Sequence, residues 1–231
     1  MRDGAAMLRS EIDGLISDAL ERFDRQGLVL PPWARFSPAD WAKRPAQARF
    51  CARHQMGWDV TDFGSGDFAA RGLLLLCTRN GIQGQAGERP YAEKLMVVRD
   101  GQETPFHFHA VKAEDIINRG GGDLVVEVTL FADGIETTEP VEVMIDGDLR
   151  RLPPRSPILL APGESITLTP GQMHRFYGRG IVLVGEVSQS NDDNGDNYFL
   201  DPVGRFAAIV EDGPARFPLW TELARVAGSV D

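Results

Sequence analysis

Thr104-Pro105-Phe106-His107-Phe108-His109, with Glu114 following after Ala110-Val111-Lys112-Ala113, is the stretch on which the reading of this chain turns. In an extended strand alternate side chains share a face, so His107 and His109 point one way and Phe108 the other. Glu114 stands five residues beyond His109, which lets the chain reverse and return a carboxylate to the imidazole pair. A third imidazole, His174, comes just after the turn signal Pro170-Gly171. Three nitrogens and one anionic oxygen leave room for two further ligands and suit Mn2+, Fe2+, Co2+, Ni2+ or Zn2+. A lone same-face histidine pair would be an ordinary structural feature. The two further ligands and the framing glycines and proline turn the reading to metal, whereas His54, alone among polar neighbours, is read as structural.

Around this stretch the sequence is strand-like. Runs rich in Val, Leu, Ile and Thr recur at 72–78, 92–99, 105–109, 123–131, 141–145, 156–160, 165–168 and 181–187, divided by Gly, Pro and Asp. Many short strands with close turn signals predict an all-β sandwich or barrel, and the lack of helices between them excludes a parallel α/β sheet. The front of the chain differs. Leu8, Ile12, Leu15, Ile16, Ala19, Leu20 and Phe23 follow helical spacing, Gly27 takes the C-terminal cap position, and Pro31-Pro32 stops the helix. Ser37-Pro38 opens a second, shorter helix, and 218–226 reads as a short terminal one. The expected organisation is one structural domain: a helical N-terminal extension, 1–55, packed on a barrel with a C-terminal tail, 56–231.

The spacing also carries a family resemblance. Gly101, five residues, His107-x-His109, four residues, Glu114, six residues and Gly121 resembles the first cupin motif at every spacing. Gly163 through Pro170-Gly171-x-x-His174 resembles the second, with one extra residue before Pro170 and Gly178 where an asparagine is frequent. A cupin is a jelly-roll β-barrel, and that fold is what the resemblance implies. The blocks Tyr91–Val98, His107-Phe108-His109, Lys112-Ala113-Glu114-Asp115, Ile117-Asn118-Arg119-Gly120-Gly121-Gly122, Gly185–Asn194 and Gly204-Arg205-Phe206 are similar to the D-lyxose isomerase family of cupins. That resemblance implies interconversion of D-lyxose with D-xylulose and of D-mannose with D-fructose, with Mn2+ favoured over Co2+, Fe2+, Ni2+ or Zn2+.

The residue chemistry is compatible with such a reaction. Moving a carbonyl from C1 to C2 removes a proton from C2 and returns one to C1, and a divalent cation stabilises the enediolate between them. Lys112, in the connection between His109 and Glu114, is expected at the mouth of the cavity. It would neutralise that charge, or move a proton if its pKa is depressed by the metal. Glu186 and Glu211 are the candidate bases; Lys94, Asp193 and Arg205 are candidate contacts to sugar hydroxyls. A non-haem iron dioxygenase and a non-catalytic metal- or sugar-binding cupin are the competing classes. Lys112, Glu186 and Asp193 favour a hydroxyl-rich substrate over the apolar pocket that the first would need.

Composition excludes other partners. A net charge of -10 offers no basic surface for nucleic acid or anionic membranes. The longest apolar run, Gly72 to Cys77, is far too short to span a bilayer, and the first 30 residues lack the apolar core of a signal peptide. Cys51 and Cys77 form no CxxC pair and are expected as free, partly buried thiols, which fits a cytoplasmic protein. An outward-facing Phe108 and the extra helix suggest a covered face, hence a homodimer.

Overall fold

Leu73–Arg79 begins with four consecutive leucines, and a strand of that kind needs apolar cover on both faces. The computed structural model, which describes residues 6–228, supplies it; residues 1–5 of the N-terminal extension and 229–231 of the tail lie outside them. The main sheet runs in the order Asp148–Leu152, Val141–Ile145, Ser165–Leu168, Glu114–Thr129, Met173–Gln189, Tyr91–Val98, Leu73–Arg79 and Gly57–Thr61, with antiparallel neighbours. One face of these strands turns Leu75, Met96, Val126, Val128, Ile166 and Val184 into a shared interior. The other turns Trp58, Val60, Leu74, Leu76, Val97 and Leu183 toward the helix Arg9–Arg25, whose Ile12, Ile16, Ala19, Leu20 and Phe23 close over them. Each large apolar side chain buried there contributes roughly 1.5–3 kcal/mol. That area, rather than intrinsic propensity, holds the helix in place.

The helix ends as its sequence predicts. Gly27 adopts φ +71°, the Leu28 N–H donates to Phe23 O at 2.9 Å, and the Gly27 N–H donates to Asp24 O at 3.0 Å. These two bonds form a Schellman cap, for which glycine is the least strained residue.

Two long strands carry the site. Glu114–Thr129 and Met173–Gln189 pair along almost their whole lengths, with register shifts between Arg179 and Val182 and between Leu183 and Val184. Gly121 and Gly122 lie at this irregularity; a Cβ would fall 2.2 Å from Ile181 O at the first and 2.1 Å from Arg179 O at the second. Only glycine permits that approach. Asn118, fully buried, spans the bulge: its amide donates to Gly122 O and Leu160 O and accepts from the Gly120 N–H, each at 2.9 Å.

The glycines therefore mark a bulge inside continuous strands and not the turns that separated 123–131 and 181–187 in the sequence reading. The helix Pro45–Arg53 and the parallel pairing of Ala6–Leu8 with Ala208–Val210 were not anticipated. Phe108 does not face outward unpartnered: it stacks on Tyr198 with centroids 4.9 Å apart. Phe108 stays half-buried against Tyr198, itself 46% exposed, while the first helix packs its apolar side chains onto its own chain.

Candidate metal and active site

Strand register assembles the site. His107, on the short strand His107–Phe108, stands opposite His174; Glu114 stands opposite Ser188; Glu186 stands opposite both Ile116 and Lys94. His107, His109, Glu114 and His174 each offer one ligand atom, and these atoms all lie within 4.8 Å of one another. Each imidazole is oriented from behind. His107 Nδ1 donates to Pro105 O at 2.9 Å, His174 Nδ1 to Gln172 O at 2.9 Å, and His109 Nδ1 to Asp196 O. A carbonyl only accepts, so in each neutral ring Nδ1 carries the proton and Nε2 is a bare lone pair.

That tautomer tests the fit of a metal. His174 Nε2 is buried without a hydrogen-bond partner among the described residues, yet it lies 3.0 Å from Glu114 Oε1, and His109 Nε2 lies 3.6 Å from the same oxygen. Acceptors this close repel unless a cation is shared between them. The donor set fits a divalent metal. Burial first, then the neighbouring His174 and His109, holds His107 well below the ordinary histidine range, which keeps it an unprotonated ligand.

Lys112 links the ligands to the rest of the cavity. Its Nζ lies 2.6 Å from Glu114 Oε2, 2.9 Å from Glu186 Oε1 and 3.4 Å from Asn191 Oδ1. Burial disfavours the ammonium, but Glu114 and Glu186 outweigh it and raise Lys112 above its ordinary value. Lys112 thus stands as an ammonium group between two carboxylates and in contact with both. Burial likewise opposes ionisation of Glu114 and Glu186, and Lys112 overcomes it, holding both below the usual carboxylate range. Glu186 Oε1 also meets Lys94 Nζ at 3.1 Å and the Ser188 hydroxyl at 2.9 Å. All three donors fall on Oε1 and leave Oε2 for another partner.

A second charged group lies on the same cavity wall. Arg205 Nη2 lies 3.0 Å from Asp193 Oδ1 and 2.7 Å from Asp59 Oδ2. Burial alone would raise Asp193, but Arg205 brings it below its ordinary value; for Asp59 burial prevails, with Asp193 adding to it, and the carboxyl is raised. Phe63, Leu73, Leu75 and Phe199 supply an apolar wall facing these charges.

Of the sequence candidates, Lys94, Lys112, Glu186, Asp193 and Arg205 share this cavity with His107, His109 and Glu114, and His174 lies behind them against Glu114. Glu211 does not. Its carboxylate is tied to Arg9 at 2.7 Å, half-exposed, where the Ala208–Val210 strand meets the N-terminal segment. Its neighbour Gly204-Arg205-Phe206 reaches the site, but the chain then leaves to pair with Ala6–Leu8.

Asp59, Ser188, Asn191 and Asp196 were missed. Asp196 holds the connection between His109 and Glu114, accepting from the N–H groups of Ala110 at 2.7 Å and Lys112 at 3.0 Å. A signal existed for Asp59: an acid inside Gly57–Thr61, a strand buried at every position.

A family model described as D-lyxose isomerase matches residues 7–223. A D-lyxose/D-mannose isomerase of Escherichia coli O157:H7 is 47% identical over 223 residues, covering 94% of this chain and 98% of its own. One of Serratia proteamaculans is 46% identical over 228 residues, covering 95% and 99%. Among solved structures, the L-ribose isomerase of Acinetobacter sp. DL28 in complex with L-ribose has a TM-score of 0.61 at 16% identity, covering 90% of this chain and 99% of that one, a likeness of fold. With the match running through both long strands and all four candidate ligands, this chain belongs to the D-lyxose isomerase family.

Proposed function

We propose that this chain is a metal-dependent aldose–ketose isomerase acting on D-lyxose and D-mannose. The substrates named for its relatives support the sugar assignment. The observation that carries the chemistry is a buried carboxylate, Glu186, whose three donors all fall on Oε1 and which stands one ammonium away from the ligand cluster. His107, His109, Glu114 and His174 would hold the metal, and their mixed nitrogen and oxygen donors are compatible with Mn2+. When bound, such an ion supplies Lewis acidity toward two adjacent sugar oxygens.

The protein's own groups do the rest. Glu186 Oε2 takes the proton from C2 and returns it to C1, while a hydroxyl proton passes from O2 to O1, so that atoms and charge balance. Lys112 offsets the negative charge that develops on the sugar oxygens. Lys94, Asp193 and Arg205 offer polar partners to the hydroxyls, and Phe63 and Phe199 an apolar surface to the C–H face.

The test is conversion of D-lyxose to D-xylulose by metal-stripped protein with and without added Mn2+, run in D2O. Metal-dependent conversion is expected, with deuterium at C1 of the ketose in the share of turnovers where the proton on Glu186 exchanges with solvent before its return. Glu186→Gln should lower kcat by about a hundredfold or more with bound metal unchanged. Full activity in that variant, with no solvent deuterium in the product, would remove Glu186 as the base.

A further inference from the structure

The chain has three lysines, Lys43, Lys94 and Lys112; Lys43 is exposed, while Lys94 and Lys112 are buried side by side in the cavity. Two ammonium groups repel and do not adopt that arrangement unaided. Glu186 Oε1 is one acceptor they share. The other is the amide oxygen of Asn191, 2.7 Å from Lys94 Nζ and 3.4 Å from Lys112 Nζ. Asn191 is 3% exposed, and its Nδ2 has no hydrogen-bond partner among the described residues.

Its main chain is held from behind. Asn80, also buried, accepts from the Asn191 N–H through Oδ1 and donates to the Asn191 carbonyl through Nδ2, both at 2.9 Å. Its Nδ2 also donates to His54 O at 2.9 Å. One side-chain amide thus copies the two bonds of a strand pair, at a point where the chain has left the Met173–Gln189 strand.

We infer that Asn191 is a positioning residue, clamped by Asn80, whose amide oxygen sets the two site lysines at their working separation around Glu186. The inference rests on the proposed isomerase only for its kinetic arm. A neutral acceptor suits this place. A second carboxylate there would compete with Glu186 and Glu114 for both lysines, whereas an apolar residue would leave the ammonium groups one acceptor short.

The test uses Asn191→Leu, which keeps the branched shape and removes the acceptor. Lysine labelled with 15N gives three ammonium signals in the Zn2+-loaded protein, each assigned by substitution. In Asn191→Leu the Lys94 and Lys112 signals should both move while Lys43 stays, at unchanged metal stoichiometry. With D-lyxose and Mn2+, kcat should fall at least about tenfold. In a Lys94→Met background the same substitution should cost less than about threefold, because its shorter bond is to Lys94. A residue of purely structural value would lower the melting temperature and leave that coupling at zero.

Should Asn191→Leu fail to fold, Asn80→Ala releases the clamp and leaves the Asn191 side chain present. It should move the same two signals. Unmoved lysine signals in the folded variant, or kinetic losses that multiply, overturn the inference. If the wild-type protein isomerises no aldose, the functional reading fails, and the lysine signals still decide the role of Asn191.

Discussion

Replacing Asn118 by alanine tests whether the Ile117–Gly122 block is a structural device or part of the sugar site. Asn118 sits at the bulge between the two long strands, and its side chain makes three bonds of 2.9 Å, two donated and one accepted. Alanine leaves the Gly122 and Leu160 carbonyls and the Gly120 N–H without that partner. A buried polar group left unsatisfied costs roughly 1–3 kcal/mol. Leu160 is fully buried, but Gly120 and Gly122 are half-buried and recover part of their loss from water. Taking the low end for all three gives about 3 kcal/mol. For a protein of this size that lowers the melting temperature by about 6–12 °C.

Asn118→Asp is the sharper variant. It keeps the acceptor for Gly120 and turns the donor into an anionic oxygen facing two carbonyls, so at pH 7 it should lose at least as much as alanine. Urea unfolding and differential scanning calorimetry read both variants, with the denaturant slope unchanged. A drop below about 2 °C in Asn118→Ala would refute the reasoning, since less than one buried bond would then be at stake.

Three further outcomes follow from the same geometry. His109→Ala should lose bound metal by elemental analysis, because a three-ligand remnant cannot hold the same geometry; stoichiometric metal in the variant would contradict the site. Glu211→Gln should leave kcat intact and cost under about 1 kcal/mol, since the carboxylate paired with Arg9 is half-exposed and screened. Arg9 holds the folded Glu211 below its ordinary value, so the gap from wild type should be full at neutral pH and close as pH falls through that lowered value. Burial pushes the thiols up, Cys51 to about 11 and Cys77 to about 12, so neither should react with a disulfide reagent at pH 8 until the chain is unfolded in guanidinium.

What the sequence disclosed and what it withheld divide along a physical line. His107, His109 and Glu114 fall within eight residues; strand alternation puts the two histidines on one face and a short reversal returns Glu114 to them, both local properties of the sequence. The first helix was legible for the same reason: its apolar period and its Gly27 cap are local. Lys94, Lys112 and Glu186 could be named as candidates, but their contacts depend on register across strands far apart in sequence. Glu186 comes opposite Ile116 only after the bulge at Gly121 and Gly122 has shifted Met173–Gln189 against Glu114–Thr129, while its pairing with Lys94 belongs to an unbroken register. A slip of one residue would send Glu186 to the outer face of the sheet. The glycine triplet was therefore informative at a level that local reading could not use: as a turn signal it set off the 123–131 strand, and in the fold it sits where the register of Glu114–Thr129 against Met173–Gln189 shifts. Glu211 shows the converse error. Its closeness in sequence to Arg205 suggested closeness in space, but the chain leaves the cavity after Arg205 to pair with Ala6–Leu8. Asn191 was invisible to local reading for a related reason. Its value comes from two lysines 97 and 79 residues away, and an asparagine in a polar loop carries no mark of that partnership.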